Sequence, residues 1–227
     1  MEALRPASAM MADAFAHYHR KPPRLNICRI ATLASFASQF LVPRLPEFRA
    51  AHPDIEIEFI TSVRLVDLTR EEADLGVRYG LGQYEGLVSS RLVQGILTPV
   101  CSPAVLKASG GDLDCLFATT RRIQTANYNE WRDWSRVANL DSSATQQTYV
   151  IEDFLVAIKA LTGRQGLGLL PHLLVQDLLA SGELVQFSDI PLEIDYTFYI
   201  AHTSASVRRP FVQTVVSWLQ SSLAHLN

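Results

Sequence analysis

The period of apolar and polar positions changes several times along the chain. Residues 25–30 (LNICRI) and 55–60 (IEIEFI) have the alternating or continuously apolar character of strands. Between them, a small polar stretch, Ala31-Thr32-Leu33-Ala34-Ser35, leads into residues 36–50, whose apolar positions recur at helical steps. A helix over 63–72 and a strand over 73–78 (ADLGVR) continue the order. Strand and helix in alternation predict a parallel sheet with helices on its faces, and ligands of such sheets gather at the strand carboxyl ends.

The same logic restarts further on. Residues 95–100 (GILTPV) read as a strand, and Ser102-Pro103-Ala104 opens a helix and a second lobe. There follow a helix over 127–137, a strand over 148–151, a helix over 154–161 that ends at Gly163, a short buried strand and turn at 166–171 (GLGLLP), and a helix that stops near Gly182. A last strand, 196–201 (YTFYIA), precedes a helix over 209–223 whose apolar positions Phe211, Val215, Trp218 and Leu219 return it to the first lobe. Two crossings between lobes make a hinge with a cleft. Ahead of all this, residues 2–20 place Leu4, Met11, Phe15 and Tyr18 along one stripe before Pro22-Pro23 stops the helix. So short an amphipathic helix is marginal alone, so a partner subunit is expected to cover it. The division expected is a pairing helix at 1–22, a first lobe of 23–100 plus 202–227, and a second lobe of 101–201.

Composition narrows the function. With 227 residues, 48% hydrophobic and 19% charged, the chain can bury a sizeable core. A net charge of -3 and no basic stripe argue against a domain that grips nucleic acid by itself. Three widely spaced cysteines, Cys28, Cys101 and Cys115, fit neither a disulfide framework nor a metal site and suggest a reducing cytoplasm. The first twenty residues read as neither a secretory signal nor a membrane span, which disfavours a periplasmic receptor. Catalytic signatures such as HExxH, GxSxG and GxGxxG are missing, so no enzyme and no cofactor or metal is expected. Gly163, Gly166 and Gly168 suit a helix end and a tight strand entry, and Trp131 and Trp134, one helical turn apart, suit a core.

Residues 40–59, FLVPRLPEFRAAHPDIEIEF, resemble the start of the effector domain in LysR-type transcription regulators. The resemblance continues through Arg64-Leu65-Val66-Asp67, ADLGVRYG at 73–80, PVCSP at 99–103, GRQGLGLLP at 163–171 and the closing helix from Arg209-Pro210-Phe211, and it is strongest to the subgroup of glycine-cleavage activators and β-lactamase regulators. It implies an α/β fold of two Rossmann-like lobes, of the periplasmic-binding-protein type 2, joined by two crossover strands and preceded by a linker helix. It further implies a small-molecule effector (an amino acid, a small carboxylate or a related metabolite) and self-association as dimer or tetramer. DNA would be reached only through a winged helix-turn-helix head, which this sequence lacks, and RNA polymerase would be a partner of the intact parent. The rival readings are a headless protein that forms hybrid oligomers with intact regulators, and a solute-binding receptor of the same fold.

Candidate effector contacts follow from position. Thr32, Ala34, Ser35 and Phe36 lie between the first strand and its helix, where free N–H groups accept a carboxylate or phosphate, although Ser35 also fits the plain role of a helix cap. Thr61, Ser62 and Arg64 form the equivalent turn after the second strand, and Arg64 also fits a surface arginine beside Asp67 and Glu71. From the facing lobe come Gln124, Thr125 and Tyr128 after a strand, and Asp153 with Phe154 at a helix start. Related regulators often carry a small hydroxyl residue near that last place, so Asp153 and Phe154 point to an effector with an amino group or an apolar end. His202 is expected at the second crossing.

Overall fold

A computed structural model describes residues 26–62, 67–68, 72–125, 129–140 and 148–224. The expected pairing helix, most of the expected helix over 63–72, Arg64 and Tyr128 lie outside these residues.

Strand β1 (Asn26–Thr32) sends Cys28 and Ile30 into the core and runs straight into a helical segment, α1, that spans 34–51. A π turn over Ala37–Leu41 interrupts α1, and both Phe40 and Leu41 are buried there. Strands β2 (Ile55–Thr61) and β3 (Leu75–Gly80) lie parallel to β1 on either side of it. After β4 (Val88–Arg91), whose polar VSSR run carries no strand alternation, the chain crosses to a second sheet through β5 (Ile96–Cys101).

Helices α2 (Pro103–Ala108) and α3 (Leu113–Thr119) follow, then β6 (Arg122–Gln124), α4 (Glu130–Val137), β7 (Thr148–Val150), α5 (Phe154–Thr162), β8 (Leu167–Pro171) and α6 (His172–Ser181). Two short strands, β9 (Val185–Gln186) and β10 (Leu192–Glu193), lead back to β11 (Thr197–His202) and the last helix, α7 (Pro210–Leu223). The first sheet has the order β2-β1-β3-β11-β4, and the second β10-β5-β8-β6-β7 with β9 pairing β5.

Neither sheet is wholly parallel, contrary to the expectation from alternation. Strand β11 runs antiparallel to β3 and β4, and β5 antiparallel to β8, β9 and β10. The reason is the crossing itself. A chain arriving from the other sheet enters at the edge where the parallel strands end, so it must run against them. Sheet membership therefore puts 96–101 with the second sheet and 197–202 with the first, a few residues earlier than the expected lobe boundaries at 100/101 and 201/202.

The two crossing segments, 92–96 and 193–197, are bonded to each other: the Leu92 amide donates to Phe198, Ile194 to Gly95 at 2.9 Å, and the Thr197 hydroxyl to the Val93 carbonyl at 2.9 Å. They approach so closely that a Cβ at Gly95 would lie 2.1 Å from the Ile194 oxygen and 2.6 Å from that of Tyr196. One core gathers Ile30, Phe36, Phe40, Val77, Phe198 and Ile200 under Val212, Val215 and Leu219 of α7, and it extends into the second half through Phe154, Ile158 and Leu161. Another holds Leu97, Leu116, Phe117, Trp131, Trp134 and Leu169. Trp131 and Trp134 meet edge to face at 6.0 Å, and their indole N–H groups donate to Ile123 and Ile190 carbonyls, which satisfies the polar end of each buried ring. Buried Asp74 ties the first sheet to α7, accepting the Arg29 amide at 2.7 Å while pairing with the Arg209 guanidinium. Among the described residues, no helix is long and apolar enough to cross a membrane.

Candidate functional site

Strand β1 delivers Thr32 to the end of the first sheet that faces the second. Thr32 is 3% exposed, and its hydroxyl has no hydrogen-bond partner. Thr61 stands beside it in register across β1 and β2, and the Ser62 amide donates to the Thr32 carbonyl at 3.0 Å. Leu33 occupies the cap position of α1 and makes no side-chain cap, so buried Ser35 is not the cap of this helix. Phe36 packs against Phe40 at 5.3 Å and Phe198 at 5.0 Å, which fixes the first turn of α1 upon the sheet. Thr32, Ala34, Ser35, Thr61 and Ser62 thus come together at one end of the first sheet.

The second half presents the ends of β6 and β7. Gln124 and Thr125 are buried, and the Gln124 side-chain amide donates to the Thr125 carbonyl at 3.1 Å. The Thr125 hydroxyl donates to a carboxylate oxygen of Glu130 at 3.0 Å. Asp153 caps α5, with one oxygen accepting the Leu155 amide at 2.8 Å and the Val156 amide at 3.1 Å. Next to it, Phe154 reaches across and meets the ring of Tyr79, on β3, edge to face at 5.1 Å. That contact joins the two halves at the level of the candidate residues.

His202 is not brought to this place. The second crossing precedes β11, and β11 runs away from the facing sheet, so His202 lies at its far end, paired with Val88 and bonded through Nδ1 to the Thr203 carbonyl at 3.1 Å. A polar recess of about 670 Å³ flanks the crossing segments, lined by Leu81, Gln83, Arg91, Gln94, Glu193 and Asp195 among others, and it shares no residue with the candidate set.

Two groups at the facing ends escaped the sequence reading. Glu130 is 6% exposed, and burial pushes its carboxyl up to about 7, the Thr125 hydrogen bond opposing only part of that shift. Tyr79 is raised above the ordinary phenol range, first by burial and then by the negative charge of Glu130, and its hydroxyl is buried without a hydrogen bond. A glutamate at the start of an amphipathic helix reads as solvent-facing; only the packing of the second half over it reveals otherwise. Among the described residues no three His, Cys, Asp or Glu side chains gather as metal ligands would.

Comparison with known proteins agrees with this architecture. The family profile of the LysR substrate binding domain matches residues 25–224. An HTH-type transcriptional activator AmpR of Citrobacter koseri is 24% identical over 194 residues, 86% of this chain and 66% of the relative. The glycine cleavage system transcriptional activator of Escherichia coli K12 is 28% identical over 181 residues, 77% of this chain and 58% of the relative. The chain therefore spans about three-fifths to two-thirds of the length of these relatives. Among solved structures, the AmpR effector binding domain from Citrobacter freundii superposes with a TM-score of 0.77 at 21% identity, covering 88% of this chain and 99% of that one.

Proposed function

Because the chain belongs to the LysR substrate-binding domain family, we propose that it is the effector-sensing part of a transcription regulator, taking a small polar metabolite between its two sheets. The observation that carries this reading is the Thr32 hydroxyl, buried and unpartnered at the strand end beside the uncapped start of α1. A buried hydroxyl left without a partner is unfavourable by about 1–3 kcal/mol. Its position at a strand carboxyl end, next to helix N–H groups, suits a ligand oxygen that would complete it.

In this reading Thr32, Ala34, Ser35, Thr61 and Ser62 receive the polar end of the effector. Gln124, Thr125, Asp153 and Phe154 close upon it from the second lobe. The first lobe is built on the first sheet and the second lobe on the other. Ligand shifts the lobes only by binding one arrangement better than the other. That shift is passed to neighbouring copies of the chain, in a dimer or tetramer, and through DNA-binding heads to transcription in the cytoplasm.

The test is a thermal-shift screen against amino acids, small carboxylic acids and aromatic acids, since a ligand that binds only the folded state raises its apparent stability. A saturable shift is expected. Thr32→Val is then expected to weaken the ligand about tenfold, the loss of one buried hydrogen bond, while leaving the free protein as stable or more so. Thr32→Val binding with unchanged affinity would remove Thr32 from the site.

A further inference from the structure

At the facing ends of the two sheets, the second half buries a carboxylate, Glu130, which accepts one hydrogen bond from Thr125; among the described residues no arginine, lysine or histidine pairs with it. Within reach of its charge lies the Tyr79 hydroxyl, buried and without a hydrogen bond of its own. The rings of Phe154 and Tyr196 approach that of Tyr79 at 5.1 and 6.1 Å. A buried anion with no countercharge is an unfavourable arrangement that a cation relieves. Aromatic faces beside it add attraction for an ammonium group, which has three N–H donors to divide between a carboxylate and a phenol oxygen.

We propose that Glu130, with Tyr79, Phe154 and Tyr196, is the anchor for a protonated amine of the effector. Its other end, a carboxylate, lies towards Thr32 and Ser35, so the ligand is an amino acid or a related zwitterion. This rests on the cleft reading above and adds the charge of the ligand to it. Among the described residues Glu130 bonds the Thr125 hydroxyl and lies within electrostatic reach of Tyr79, whose ring neighbours Tyr196; His172 lines a recess with these two tyrosines, and burial pushes its imidazole down, so it supplies no positive charge near neutral pH.

The test uses the whole chain in calorimetry and thermal shift against the protein amino acids, the N-acetyl derivative of each, the matching acids without the amino group, and putrescine. A free amino acid is expected to bind, with its N-acetyl and deaminated partners at least about tenfold weaker, the scale of one lost charge-assisted hydrogen bond. Glu130→Gln, close in shape to the neutral acid, is expected to lose the same factor while still melting cooperatively. Thr125→Val is expected to weaken binding to a smaller degree. Below pH 7 the affinity of the wild type should fall about tenfold per unit as Glu130 takes up a proton, and Glu130→Gln should not show this slope. Deaminated acids that bind as tightly as amino acids, or an undiminished Glu130→Gln, would overturn the amine anchor and leave the cleft reading standing. Failure of every amine and every acid to bind would overturn both.

Discussion

Raising the pH should weaken this fold through Glu130. Its carboxyl titrates near 7 in the folded chain against an ordinary value of 4.5. Below about pH 4.5 the folded and unfolded chains are both protonated and the group contributes no difference. Between 4.5 and 7 the folded chain keeps a proton that the unfolded chain releases, so stability falls by up to about 1.4 kcal/mol per pH unit. Above 7 both are ionised and the loss levels off. Between pH 5 and pH 8 the expected loss is about 2–3 kcal/mol, a sizeable part of the ~5–15 kcal/mol that holds a typical domain together. The assay is urea unfolding at unit pH steps for the wild type and Glu130→Gln. Other titrating groups affect both proteins alike, so the difference between the two curves isolates this carboxyl. Parallel pH profiles would refute the assignment of the shifted proton to Glu130.

Three further substitutions probe the frame. Gly95→Ala places a methyl against two backbone oxygens of the opposite crossing segment and should destabilise the chain by about 3 kcal/mol, read from denaturant midpoints; a neutral result would mean that the crossings separate freely. Phe198→Ala empties a site packed at 5.0 Å from Phe36 and 5.1 Å from Tyr79, and should cost about 3–5 kcal/mol in the same assay, where a loss under 1 would contradict the packing. Asp153→Ala removes the acceptor for two amides at the start of α5 and should lower stability by about 1 kcal/mol; melting at the wild-type temperature would show the cap to be idle.

How far the sequence spoke depended on whether a residue's role was local. The β1–α1–β2 unit is legible because IEIEFI alternates and the helix carries its apolar positions at helical spacing; the outcome differs by a residue or two at the ends. Strand β4 was invisible, since Val88–Arg91 is polar and is held only by a strand more than a hundred residues later. The same distance explains His202. Nothing near it in sequence shows that the second crossing comes before β11 instead of at its end. The π turn over Ala37–Leu41 left no mark either, because Phe36, Phe40 and Leu41 satisfy an ordinary helical stripe. Thr32 and Ser35 were legible as candidates from their place between strand and helix. Glu130 and Tyr79 were not, because neither the burial of the one nor the unpartnered hydroxyl of the other is written in the residues beside it.

The place of β11 within the first sheet has a consequence for the growing chain on the ribosome. Residues 197–202 fill the gap between β3 and β4, so the first sheet lacks an inner strand until nine-tenths of the protein has been synthesised. The second sheet, by contrast, has all its strands once residue 193 has emerged. The later half of the molecule is therefore the first able to finish folding, and the earlier half must wait with one edge of β3 open. A chain cut anywhere before Thr197 loses the last inner strand of its first sheet as well as the helix that covers it, and is left with an unpaired strand edge of the kind that draws chains into aggregates.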